Sequence, residues 1–320
     1  MNPILISNIK FRISYFLYVL RVYFKRLPNC YLYNMRTVLL LLLAASLHAQ
    51  KLVHHDFLLL DLSSGPTVSK PRLLTGYNPK GYNNQPQFFS NSELYLTVQM
   101  PQDTTQTDIY ALDLVARTQT RVTATPGLPE YSPMPMPGGK RFSAVRVEAD
   151  GRQRLWSFPL NRSDNGLPEF PDVYGVGYHA WMSDTLAALF IVGEPHTLVV
   201  ANKRSGKPIR IAMNPGRCLV AMSPTQLAYV QKATEQTWYL KIYDHARKSS
   251  DILVKTIDGS EDFVLLKDGT FLAGSGAKLY KYQPGVDKEW KMVADLAAYG
   301  VEKITRMAVS PDGGKLVVVY

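Results

Sequence analysis

Met307-Ala308-Val309-Ser310-Pro311-Asp312-Gly313-Gly314-Lys315-Leu316-Val317-Val318-Val319 is an apolar run, a Ser-Pro-Asp-Gly turn and a second apolar run. Turn residues of this kind between two apolar runs mark a β-hairpin. The pattern occurs five more times, at 86–98, 133–147, 179–191, 218–230 and 262–274. Successive starts lie about 39 to 47 residues apart, the period of a four-stranded propeller blade. A second pair of strand-like segments follows each of the first five hairpins: 108–123, from Arg154 onward, 196–212, 238–256 and 278–295. The sixth such pair, 57–75, stands at the other end of the chain, ahead of every hairpin.

The ends therefore complement one another. The last hairpin lacks an outer pair, and the first outer pair lacks an inner hairpin. One blade built from both ends satisfies the count and leaves no open sheet edge to recruit another chain. The expected architecture is all-β: a six-bladed β-propeller of four-stranded antiparallel blades, closed by a blade shared between the N- and C-terminal segments. Runs such as Leu186-Ala187-Ala188-Leu189-Phe190-Ile191 show no polar alternation, as expected for strands covered on both faces. Only 295–299 is spaced for a helical turn.

The N-terminal region reads differently. Met35-Arg36-Thr37-Val38, five leucines from Leu39 to Leu43 and a small-residue end at Ala49 form a secretory signal peptide at 35–49. Its apolar stretch is too short to span a bilayer, which takes about 20 residues. Residues 1–34 then precede a complete leader and read as a mis-assigned upstream start; the rival is a basic amphipathic segment on a membrane surface. The propeller occupies 50–320. The chain carries a net charge of +10, but without the basic residues up to Arg36 there remain 30 basic and 26 acidic residues, a net charge of +4. That balance gives no nucleic-acid footprint. Cys218 alone lies beyond the leader, in an apolar run, which excludes a disulfide framework and reads as a buried structural thiol.

Asp108-Ile109-Tyr110-Ala111-Leu112-Asp113-Leu114, then Gln119-Thr120-Arg121-Val122-Thr123, then Glu130-Tyr131-Ser132-Pro133 and Gly138-Gly139-Lys140 resemble the WD40-like repeat of TolB-like propellers, as does Ser310-Pro311-Asp312-Gly313. At the level of the repeat the resemblance covers 50–320, and it is nearest to the exported propellers of this kind in Bacteroidetes. The middle hairpins keep only parts of it, as in Met182-Ser183-Asp184-Thr185 and Met222-Ser223-Pro224-Thr225. The resemblance implies a six-bladed fold in a periplasmic or secreted protein. TolB has an additional α/β domain ahead of its propeller, for which there is no space between Gln50 and Asp56.

Loops leading into the innermost strands of a propeller surround one mouth of its central channel. The residues just before the six hairpins do not repeat: Asn84 and Gln85; Glu130 and Tyr131; Tyr178, His179 and Trp181; Arg217; Glu261 and Asp262; Thr305 and Arg306. A few polar groups converging on a concave axis are the usual make-up of a ligand site. Arg217 and Arg306 suit carboxylates or phosphates. Tyr131, Tyr178 and Trp181 suit a sugar face or a peptide anchor. Two structural readings stay open: Glu130, Glu261 and Asp262 paired with Arg217 and Arg306 across the channel, and Trp181 within the core between blades.

Other motifs carry less. Gly175-Val176-Gly177-Tyr178-His179-Ala180 matches a dinucleotide fingerprint by letter but leads into a strand, leaving phosphate no helix N-terminus. His54-His55-Asp56 reads as an exposed terminus. No G-x-S-x-G elbow or H-E-x-x-H motif is present. The expected function is a non-enzymatic, monomeric propeller that binds a protein, peptide or glycan of the cell envelope and needs no cofactor. The alternative is a metal-dependent hydrolase or lactonase in which Asn84, Glu130, Glu261 and Asp262 hold a divalent cation such as Ca²⁺, with His179 as base.

Overall fold

A computed structural model describes residues 52–63, 66–205 and 207–320. The leader expected at 35–49 and residues 1–34 lie outside the described residues. Strands β1 (Phe57–Ser63) and β2 (Thr67–Leu73) come first. Blade I follows as β3 (Tyr82–Phe88), β4 (Glu93–Gln99), β5 (Asp108–Asp113) and β6 (Thr118–Arg121). Blade II is β7 (Glu130–Pro135), β8 (Arg141–Val147), β9 (Gln153–Pro159) and β10 (Leu167–Pro168). Blade III is β11 (Val176–Trp181), β12 (Leu186–Ile191), β13 (Thr197–Asn202) and β14 (Ile209–Met213). Blade IV is β15 (Pro215–Ser223), β16 (Gln226–Lys232), β17 (Trp238–Asp244) and β18 (Ser249–Lys255). Blade V is β19 (Phe263–Leu265), β20 (Phe271–Ser275), β21 (Lys278–Tyr282) and β22 (Lys291–Asp295). The chain then makes β23 (Arg306–Val309) and β24 (Lys315–Val319).

Each blade is a four-stranded antiparallel meander, and β24 pairs with β1 to complete blade VI in the order β2-β1-β24-β23. The register of this closing pair runs from Phe57 opposite Val319 to Asp61 opposite Lys315. The protein is thus a six-bladed β-propeller closed by its two ends. The innermost strands β3, β7, β11, β15, β19 and β23 neighbour one another in turn around the axis. Among the described residues the helical segments are short 3-10 turns at Thr75–Tyr77 and Ala297–Tyr299. No helix among them is long and apolar enough to cross a membrane.

The core lies between blades. On β1, Phe57 and Leu59 pack with Phe88, Leu94 and Leu96 of blade I. Leu58, Leu60 and Leu62 pack with Val264, Leu272 and Leu279 of blade V. Alternate side chains thus enter different clusters, which is why the strand is apolar throughout. The outermost strand β2 touches water and is largely exposed, with Thr, Ser, Lys and Arg along it.

Five of the six inner strands begin earlier than the hairpin pattern indicates; β19 begins one residue later, at Phe263. Proline has no backbone donor and commonly starts a strand, so Pro86 and Pro133 read as first residues. Instead β3 and β7 pass through them with a register shift between Asn84 and Gln87, and between Tyr131 and Met134. Gln85 and Ser132, the residues before the two prolines, sit in the left-handed region at φ 55°. The His54 and His55 segment also departs from expectation. Both residues are half-buried; the His54 ring bonds to Gly81 O at 2.6 Å and to Asp56 Oδ1 at 3.2 Å.

Candidate functional site

A cavity of about 360 Å³ runs along the axis, lined by residues of all six inner strands or the turns directly before them. Of the residues expected at a mouth, Gln85, Tyr178, His179, Trp181, Arg217, Asp262 and Arg306 line it. Most lie inside the inner strands rather than in preceding loops, because those strands start early. Asn84, Glu130, Tyr131, Glu261 and Thr305 do not line it, and each is engaged elsewhere. Asn84 Oδ1 accepts the Gln85 amide at 2.7 Å. Tyr131 packs against the apolar cluster between blades II and III. Thr305 Oγ1 donates to Val319 O within blade VI.

Glu130 lies directly across from Arg146 of β8. The Arg146 guanidinium meets Glu130 Oε1 at 2.9 Å, both side chains are buried, and Arg146 also stands 4.3 Å from the Trp156 ring centroid. Burial pushes the Glu130 carboxyl up to about 7, against the pull of Arg146 and the neighbouring threonines. Glu130 is therefore part of blade II rather than of the channel, and its partner is neither Arg217 nor Arg306.

Half of the mouth is an ion network. Arg217 Nε and Nη2 both donate to Asp262 Oδ2, at 2.9 and 2.5 Å, and Nη2 also reaches Thr305 O at 2.6 Å. Glu261 Oε2 accepts the Arg217 amide at 3.2 Å and meets Lys232 Nζ at 2.8 Å. Burial alone would raise the Glu261 carboxyl; Arg217 and Lys232 outweigh it and hold the group below its ordinary range. Gly216 permits this approach: a Cβ there would fall 2.9 Å from Val230 Cβ and 3.3 Å from Glu261 Oε2. Pairing of acids with Arg217 across blades, one of the two structural readings, is thus present, with Lys232 as an unforeseen member.

Arg306 is held differently. Its Nη2 donates to Tyr178 Oη at 3.1 Å, and its guanidinium carbon stands 5.0 Å from the Tyr178 ring centroid. Its nearest carboxylate oxygen, Asp262 Oδ1, is 3.7 Å away, beyond hydrogen-bond length. The side chain is 13% exposed.

The other half of the mouth is uncharged. Gln85 Oε1 accepts Thr97 Oγ1 at 2.7 Å and the Ser132 amide at 2.9 Å, joining blades I and II. Ser143 of β8 lies 2.7 Å from His179 Nε2 and accepts Trp181 Nε1 at 2.9 Å. Desolvation lowers the His179 pKa to about 3, so the ring is neutral. Ser132 Oγ and His179 Nδ1 are buried without a partner among the described residues. Trp181 serves two surfaces: it edges the cavity and stacks on Phe170 at 6.0 Å in the core between blades II and III. Cys218, expected to be fully buried, is half-buried on the cavity wall. It donates to Phe263 O at 3.1 Å, and its thiol is pushed up to about 12, chiefly by desolvation.

Farther along the axis the wall turns mostly apolar, with Met134, Val220, Leu265, Met307 and Val309 beside Gln87. The oxygens proposed for a divalent cation are not gathered: Glu130 is spent on Arg146, and Glu261 and Asp262 on Arg217 and Lys232. Among the described residues, no group of three or more His, Cys, Asp or Glu is arranged to hold a metal. Thr97, Ser143 and Lys232 had no signal in the sequence, since each stands on the second strand of its blade and reaches the site only through strand pairing or blade packing.

These features define a class, the six-bladed β-propeller with a polar axial mouth. No family model matches the chain, and no curated protein does. Solved structures share the fold. A protein of Agrobacterium tumefaciens described as TolB superimposes with a TM-score of 0.61 at 11% identity, over 83% of this chain and 97% of that one. TolB of Acinetobacter baumannii gives 0.51 at 13% identity, over 83% of this chain and 63% of its own. A chain of a nidogen/laminin complex gives 0.57 at 10% identity, over 79% and 97%. At these identities the likeness is one of fold, and it agrees with the six-bladed architecture expected from the repeat.

Proposed function

We propose that this chain is an exported, non-enzymatic propeller that binds a protein, peptide or glycan of the cell envelope at the axial mouth. One observation carries the reading: the axial cavity brings Gln85, Tyr178, Arg217, Asp262 and Arg306 together from five blades, and Arg306 makes a single hydrogen bond among the described residues. A ligand seated on the axis would pair with that arginine's remaining donors. The nidogen/laminin chain that shares the fold comes from a complex; the reading for this chain rests on its own mouth.

The test is affinity capture from an envelope extract with the wild-type protein and with Ala221→Trp. Ala221 is a half-buried residue of the cavity wall, outside the ion network. The wild type is expected to retain a ligand that the narrowed cavity loses. An identical catch from both, with both folded by circular dichroism, removes the mouth as the site.

A further inference from the structure

The mouth is asymmetric in charge and in depth, and both asymmetries constrain what it takes. Its charged groups are Arg217, Arg306 and Lys232 against Glu261 and Asp262, a surplus of one positive charge. Arg217 commits Nε and Nη2 to Asp262 and the Thr305 carbonyl. Arg306 keeps most of its donors uncommitted, its one hydrogen bond among the described residues going to Tyr178. A forked guanidinium in this condition is suited to a carboxylate. Below it the wall is mostly apolar, with Gln87 as a polar side chain among those lining it, so a group rich in hydroxyls would leave most of them unpaired there, whereas aliphatic or aromatic side chains fit.

Volume narrows the choice. At about 360 Å³ the cavity stands near the small end of ligand cavities, which run from about 300 to 1,000 Å³. A protein loop entering and leaving would have to place two strands side by side, about 4.8 Å apart before side chains are counted. A free chain end needs one. An N-terminal ammonium would meet a positive surplus, and a C-terminal carboxylate complements it.

We propose that the mouth captures the free C-terminus of a peptide with apolar last residues, the carboxylate on Arg306 and the side chains in the apolar part of the cavity. This rests on the reading of the mouth as the binding site. The test uses a hexapeptide carrying fluorescein at its N-terminus and ending in Leu-Val-Phe, prepared as the free acid and as the amide, with binding read by fluorescence anisotropy. Loss of a charge-assisted hydrogen bond predicts that the amide binds about tenfold or more weakly than the acid. Arg306→Met is expected to abolish that difference, and Arg306→Lys, which keeps the charge without the fork, to weaken the acid several-fold and leave the amide unchanged. Sodium octanoate is expected to displace the acid only in large excess. Equal binding of acid and amide, with both lost in Ala221→Trp, overturns the carboxylate inference and leaves the mouth reading standing. Binding that Ala221→Trp does not change overturns both. No binding of either peptide, or displacement by equimolar octanoate, overturns the peptide C-terminus as the ligand.

Discussion

His179 and Glu130 are buried titratable residues of neighbouring blades, and their effects on stability run in opposite directions. The His179 pKa in the fold is about 3, against an ordinary 6.5, because burial disfavours the imidazolium. Between those values the unfolded chain binds the extra proton, so the stability present above pH 6.5 is lost as pH falls. The Glu130 pKa is about 7, against an ordinary 4.5, again through burial. Between those values the folded chain holds the extra proton, so stability rises as pH falls. From about pH 6.5 to 4.5 the two slopes offset each other, and below that the loss from His179 is joined by that of carboxylates held below their ordinary range, Glu261 among them. Replacing Glu130 with Gln is therefore expected to turn a shallow profile into a steady decline from pH 6.5. Replacing His179 with Gln is expected to make the decline below pH 4.5 shallower. Chemical denaturation across pH 3.5–7.5 measures both, and identical pH profiles for all three proteins would contradict the assignment. Neither effect was legible in the sequence, where His179 and Glu130 both read as mouth residues. Their burial depends on Ser143 and Arg146, which the β7–β8 register and the packing of blade II on blade III bring to them.

Strand β1 shows what two-sided burial means for a single element. Leu59 and Leu60 are both 0% exposed yet belong to clusters on opposite faces of β1. Each change to Ala is expected to cost about 2–5 kcal/mol, as for buried leucines generally. Ile252 on the outer strand β18 is 60% exposed, and its change to Ala should stay within about 0.5 kcal/mol. Urea denaturation of the three variants tests the contrast. The positions of the inner hairpins and outer pairs were readable because apolar runs and Gly/Pro turns are local signals. The bulges at Gln85 and Ser132 were not. A residue ahead of proline is ordinarily driven to extended geometry, and nothing local marks these two for the left-handed region. The missed bulges also explain why the mouth residues were placed in loops.

At the scale of the whole molecule, complementary ends were the most informative feature of the sequence, and the pairing of β1 with β24 realises them. The site was legible in part: the sequence located the mouth ring of Gln85, Tyr178, Arg217, Asp262 and Arg306, but not which of its arginines was already committed. A chain begun at Thr75 would lack β1 and β2 and leave β24 an open edge in blade VI. It is expected to lose the cooperative melt and to elute as oligomers, since uncovered edges pair with one another; a monomer with an unchanged melting temperature would show that the closing strands are dispensable. The same pairing sets an order on folding. As the chain is made, Phe57 and its leucines exist long before Val319, the partner they need. Contacts that join distant parts of a sequence are slow to form. Strand β1, made ahead of the other propeller strands among the described residues, is thus among the last to be paired, and until Val319 is in place its apolar side chains depend on whatever else shelters them.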